Sequence, residues 1–99
     1  MPMYFEDFEV GQRFTTPART VTEADVVNFA GVSGDYNPIH TDAEFAKSTP
    51  FGQRIAHGLL VRPMLSGISQ RTGHFEGTLI ACTEFGGRRE LKPVIIGDT

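Results

Sequence analysis

The sequence predicts a single α+β domain, and three observations carry the prediction. Its 99 residues fill one domain of ordinary size and leave no room for two. A segment near the middle, His57 to Gln70, sets apolar residues at helical spacing with few charges. The last quarter holds two β-rich runs separated by Gly86-Gly87, the pattern of two strands and a turn. With 39% hydrophobic, 10% aromatic and 21% charged residues, the composition excludes a disordered, collagen-like or coiled-coil chain.

The elements follow in chain order. Tyr4 to Phe14 carries aromatics without a sustained period and is expected to lie over the rest as a covering arm. Thr20-Val21-Thr22-Glu23 has the form of a capping box, in which a hydroxyl and a carboxylate satisfy the free amides of a first turn. A helix should therefore start near Thr22, place Val26, Val27, Phe29 and Ala30 on one side, and stop at Gly31. Val32 to His40 has no period but holds Gly34, Asp35 and Asn37-Pro38, the residues of an ordered loop. Asp42 can cap a short helix through Lys47, which Ser48, Thr49, Pro50 and Gly52 end, and another loop runs to about Ala56.

The helix over His57 to Gln70 carries Leu59, Leu60, Met64, Leu65 and Ile68, and is expected to be buried on most sides. Pro63 should kink it or make its first turns irregular, because an interior proline removes a ladder hydrogen bond and crowds the previous turn at about 3 kcal/mol. Thr78 to Phe85 reads as one strand and Arg88 to Ile96 as a second, interrupted at Pro93. Cys82 is the single cysteine, so no intramolecular disulfide and no cysteine-based zinc cluster can form; it is expected to be a small buried side chain.

Charge and hydropathy narrow the function classes. Nine Lys/Arg against twelve Asp/Glu give a net charge of −3, the wrong sign for general binding to nucleic acid or to an anionic membrane. Six of the nine basic residues fall after residue 50, which leaves room for a local basic region facing a phosphorylated ligand. No run approaches the roughly 18–20 apolar residues that span a bilayer, and the N-terminus is acidic where a signal peptide is basic. A cytoplasmic protein is expected.

Two features can carry chemistry. Asp35 and His40 bracket the Asn37-Pro38 turn, and a carboxylate and an imidazole five residues apart converge on one water if the loop is rigid. The same residues also suit a turn whose side chains bond their own backbone, and the local pattern alone favours that plainer role. Gly58 stands where the central helix should begin, so a ligand oxygen can approach a free amide in the favourable field of the helix dipole. A glycine there also serves close packing, and by itself packing is the stronger explanation.

Other chemistries lack their signatures. His40, His57 and His74 with Asp35 contain no HxxxH or HExxH pairing, so no metal site is expected. Ser33, Ser48, Ser66 and Ser69 lie in no GxSxG elbow, and no GxGxxG or GxxxxGK phosphate loop occurs. Arg54, Arg62, Arg71, Arg88, Arg89 and Lys92 are scattered as on a solvated face, and none is singled out as a phosphate ligand.

Taken together, Ser33-Gly34-Asp35-Tyr36-Asn37-Pro38-Ile39-His40-Thr41-Asp42 and Phe51-Gly52-Gln53-Arg54-Ile55-Ala56-His57-Gly58 resemble the MaoC-like dehydratases, also called R-specific enoyl-CoA hydratases. The closing Leu91-Lys92-Pro93-Val94-Ile95-Ile96-Gly97-Asp98-Thr99 is similar to a strand of that family, so the resemblance covers nearly the whole chain. It implies a hot-dog fold, in which an antiparallel sheet wraps a central helix, and a homodimer or a pairing with another hot-dog chain. Against that fold, residues 1–99 are expected to be a single domain lacking its C-terminal strands.

The resemblance also implies reversible syn hydration of a trans-2-enoyl-CoA to the R-3-hydroxyacyl-CoA. Asp35 and His40 would activate one water, the Gly58 amide would hold the thioester oxygen, and Asn37 and Ser66 would support the catalytic loop. No metal and no redox cofactor is implied, since the thioester itself acidifies the α proton. A non-catalytic module that binds acyl chains or assembles with a partner, and an acyl-CoA thioesterase, are the alternatives on the same fold.

Overall fold

In the computed structural model, which describes all 99 residues, the helices begin where side chains cap them. Helix α1, Glu23–Ser33, starts after Thr22 as expected, with its capping box two residues later than expected. Thr22 Oγ1 accepts from the Asp25 amide at 3.2 Å, and Asp25 Oδ2 accepts from the Thr22 amide at 2.9 Å. The helix passes through Gly31, which can stay right-handed, and ends at Gly34, where φ is 76°. One helical turn, α2, spans Pro38–Thr41, and α3 spans Ala43–Lys47 under the Asp42 cap. Helix α4, Gly58–Gln70, runs through Pro63 as one helix, and its first turn is tightened, with the Leu60 and Val61 amides both donating to the His57 carbonyl at 3.0 and 3.4 Å.

The core lies between α1 and α4. Val26 of α1, Leu60 and Met64 of α4, and Val21 and Ala56 from the flanking segments bury together, with Phe29, Val94 and Ile96 packed against them. The last residues reach this core by backbone bonds: the Ala56 amide donates to the Val94 carbonyl at 2.7 Å, and Val21 exchanges bonds of 2.8 Å with Asp98 and Gly97. At the other end of α4, the N-terminal arm lays Phe8 on Phe75 with ring centroids 5.7 Å apart, as a covering arm should.

The sheet expected around the central helix is not formed. Thr78 to Ile96 contains no strand, and Ile80 and Leu91 are 99% and 86% exposed. A strand is stabilised by a neighbouring backbone and by a face to pack on, and residues 80–93 make no backbone-to-backbone hydrogen bond. Two further expectations fail with it. Helix α4 is buried at Leu60 and Met64 only, Leu59 and Leu65 being exposed, and Cys82 is exposed rather than packed. No helix is long and apolar enough to cross a membrane.

Candidate active site

The loop between α1 and α2 is held by its own short side chains. Ser33 Oγ accepts from the Asp35 amide, Asp35 Oδ1 from the Asn37 amide and Asn37 Oδ1 from the Ile39 amide, each at 3.1 Å. Three successive two-residue turns of this kind fix the backbone without secondary structure. Pro38 then opens α2 with its φ already suited to a helix. The plain, self-bonded role of Asp35 and Asn37 is met, and Asp35 Oδ1 does the bracing while Oδ2 makes no hydrogen bond.

His40, on α2, is turned by a partner from the next loop. Its Nδ1 lies 2.8 Å from the Ile55 carbonyl oxygen. A carbonyl only accepts, so Nδ1 donates and Nε2 is left to work. That Nε2 sits 4.0 Å from Asp35 Oδ2, with the His40 side chain 12% exposed and that of Asp35 49%. The loop therefore presents a carboxylate oxygen and a ring nitrogen across a gap wider than a hydrogen bond, near enough for one oxygen atom to touch both.

Gly58 is the first residue of α4, where an amide has no partner inside the helix. It lines a cavity of about 460 Å³ together with His40, Val61, Leu65 and the segment Arg88 to Val94. Arg88 donates to the Gly58 carbonyl at 2.6 Å and to Glu90 Oε1 at 3.0 Å, which lays the Glu90 carboxylate over Gly58. An anionic group at the amino end of α4 suits the helix field.

Two residues of the site, Arg54 and His57, gain their places in it only through the fold. Arg54 donates to Glu23 Oε1 at 2.9 Å and pairs with its second oxygen, and it also donates to the His40 carbonyl at 3.4 Å. The Arg54 hydrogen bond holds the Glu23 carboxyl below the usual range, and the Arg54 guanidinium is correspondingly raised. A lone arginine in a loop reads as solvated, and only the fold shows that it ties the start of α1 to the His40 backbone. His57 is buried, with Nε2 2.9 Å from the Asp35 carbonyl and its ring stacked on His40 at 3.9 Å between centroids.

Of the four residues considered as metal ligands, the structure gathers three. Asp35, His40 and His57 each offer a ligand atom within 4.8 Å of the others, whereas His74 lies by Met1 and Phe14. Linear spacing misses this grouping because the loop and the start of α4 meet only in the fold. Ser66 lies exposed two turns along α4, and its side chain makes no hydrogen bond to the loop.

Residues 7–99 match the MaoC like domain. The chain belongs to that family. Among relatives of this MaoC-like domain, the (R)-specific enoyl-CoA hydratase of Aeromonas caviae is 34% identical over 97 residues, which are 97% of this chain and 69% of that protein. The 3-hydroxybutyryl-CoA dehydratase of Methylorubrum extorquens is 47% identical over 66 residues, which are 67% of this chain and 41% of that enzyme. A solved structure named monoamine oxidase regulatory protein, from Archaeoglobus fulgidus, superposes with a TM-score of 0.87 at 39% identity over 97% of this chain and 65% of that one. The MaoC-like domain here thus spans two fifths to two thirds of the length of these relatives, and its likeness to the archaeal protein is of fold as well as of sequence.

Proposed function

We propose that this MaoC-like domain hydrates a trans-2-enoyl-CoA to the R-3-hydroxyacyl-CoA, or runs the reverse dehydration. The observation that carries the reading is the Asp35 Oδ2 to His40 Nε2 pair at 4.0 Å, on a braced loop whose His40 faces the same cavity as Gly58. Relatives named hydratase and dehydratase support the same reaction class.

The chemistry follows from the atoms. A water in the gap donates a hydrogen to the unprotonated member of the pair and accepts one from the member that carries a proton, which leaves a lone pair aimed into the cavity. As its oxygen bonds to C3, one member of the pair takes the water proton while the other gives a proton to C2 on the same face; exchange with solvent then restores the pair. Electrons from the C2–C3 double bond collect on the thioester oxygen, and the Gly58 amide donates to that oxygen with the dipole of α4 behind it. The thioester makes the α position acidic, so the reading needs no metal and no redox cofactor. Arg88, Arg89 and Lys92 line the cavity and supply positive charge suited to a phosphorylated acyl carrier.

The reading includes a homodimer, supported by the exposed Leu59 and Leu65 on α4 and Ile80 beyond it, and a cytoplasmic setting. Its decisive experiment follows the enoyl absorbance of crotonyl-CoA. Turnover by the wild type and its loss in the Asp35→Asn, His40→Gln double variant support hydration. Equal rates in both refute it, and release of free CoA without hydration turns the reading to a thioesterase. Sedimentation as a monomer at assay concentration removes the dimer.

A further inference from the structure

His57 is the residue that the proposed reaction leaves unused, and its surroundings are unlike those of an ordinary core side chain. It is 2% exposed and, with Val26, is one of the two largest fully buried side chains. The other fully buried residues are Val21, Val26, Ala30, Ala46, Ala56, Leu60 and Met64, so His57 is the one buried polar residue among apolar ones. Its Nδ1 is buried with no hydrogen-bond partner. Leaving such an atom unpaired costs about 1–3 kcal/mol. An apolar side chain there would carry no such cost, so burial alone does not call for histidine.

What an imidazole adds is a donor. Nε2 lies 2.9 Å from the Asp35 carbonyl oxygen, which only accepts, so Nε2 carries the hydrogen. The ring is held between Phe29 of α1, edge-on at 4.8 Å, and His40 of α2, stacked at 3.9 Å with 27° between planes. The next peptide unit leads to Gly58 and the start of α4. One ring therefore touches Asp35 through the backbone, His40 through its face and Gly58 through the chain.

We propose that His57 is the positioning residue of the site, fixing the Asp35 backbone by its Nε2–H and the His40 ring by stacking, so that the 4.0 Å gap is kept at one width. The proposal rests on the hydratase reading of that gap. The ionisable groups around the pair are the Asp35 carboxylate and His57 against His40, Arg54 with its partner Glu23 at the His40 backbone, and Arg88, Arg89, Glu90 and Lys92 across the cavity; Phe29 on α1 carries no charge.

The test uses the 99-residue chain with His57→Phe, which keeps the ring contacts and removes the donor, and His57→Gln, which keeps an N–H at similar reach. Crotonyl-CoA kinetics and the NMR titration of the His40 ring are read on both. In His57→Phe, kcat falls about ten- to a hundred-fold, as for a reacting group displaced by a fraction of an ångström, while KM holds within about three-fold. The His40 titration moves, and thermal stability is kept. His57→Gln recovers most of kcat. A His57→Phe protein with wild-type kcat and an unmoved His40 titration overturns the proposal and leaves the hydratase reading standing.

A wild type that does not turn over crotonyl-CoA overturns the reading instead, and the His40 titration alone then decides whether His57 positions the ring. If His57→Phe fails to fold, the nitrogen spectrum of the wild type decides. An Nε2–H tautomer at His57 supports the proposal, and an Nδ1–H tautomer overturns it.

Discussion

Gly58→Ala separates the two roles open to that glycine. Gly58 is right-handed, since the glycines at positive φ are Gly11, Gly34, Gly52, Gly73, Gly77 and Gly97, so alanine fits its backbone. A methyl there would fall 2.6 Å from the Glu90 carboxyl carbon and nearer still to its oxygens. These are the far atoms of a flexible side chain, and moving them breaks only the Arg88–Glu90 pair, whose carboxylate is 59% exposed and whose worth is below about 1 kcal/mol. Alanine returns up to about 1 kcal/mol of helix propensity, less at a first turn. Stability should therefore change by no more than about 1 kcal/mol.

Activity should behave differently. The methyl stands beside the amide offered to the thioester oxygen, and losing one such donor costs about 10²- to 10³-fold in kcat, or roughly 3–4 kcal/mol of transition-state stabilisation. Urea unfolding and crotonyl-CoA kinetics on the same preparation give both numbers. A variant that keeps wild-type kcat/KM refutes the oxyanion role. One destabilised by several kcal/mol shows that Gly58 is there for packing.

Other expectations follow from the caps and ion pairs. Thr22→Ala removes the hydroxyl that caps α1 and should cost about 1 kcal/mol in urea unfolding. The Asp25 carboxyl is held below its ordinary value, first by the Thr22 backbone amide and then by the Thr22 hydroxyl and Arg19. A depressed carboxylate contributes stability above its unfolded pKa, about 3.9, and loses that contribution as the pH falls through the lower folded value. Thermal stability should thus drop through the acid range in the wild type and drop less in Asp25→Asn. Glu23→Gln should cost under about 1 kcal/mol, because the carboxylate is half exposed. Asn37→Ala should cost α2 its cap at about 1 kcal/mol and lower kcat/KM, while Asn37→Asp restores the cap. Cys82, exposed and single, should take one equivalent of a thiol reagent in the folded protein.

What could be read in the sequence was local. The Asp42 cap, the helix from Gly58 to Gln70 and the turns from Gly34 to Asn37 all depend on residues a few positions apart and appear where their signals stand, although α1 runs through Val32 and Ser33 and α2 takes up the end of the loop expected over Val32 to His40. The first capping box was misplaced by two residues because Thr20 and Thr22 offer the same hydroxyl, and the fold decides between them by giving Asp25 the matching amide. Long-range features were not legible. Whether Thr78 to Ile96 becomes sheet depends on a partner backbone, and no residue in that run reports one. The exposure of Cys82 and Leu65 follows from the same missing neighbour. His57 and Arg54 act at sites 22 and 14 residues away in the chain, through contacts that no spacing rule anticipates.

The braces of the Asp35–His40 loop have a kinetic consequence. Every bond that shapes the pair closes a short circuit: two residues for the three turns, 15 for His40 with Ile55 and 22 for His57 with Asp35. Closing loops of this size costs little chain entropy and takes well under a microsecond to a few microseconds, whereas the Thr20 to Thr99 contact spans 79 residues. The reacting groups therefore belong to the low-contact-order part of the molecule, which assembles early and opens independently of residues 80–93. Amide exchange should show the loop protected while that segment exchanges freely, so the acid–base pair stays in order as the walls of its cavity come and go.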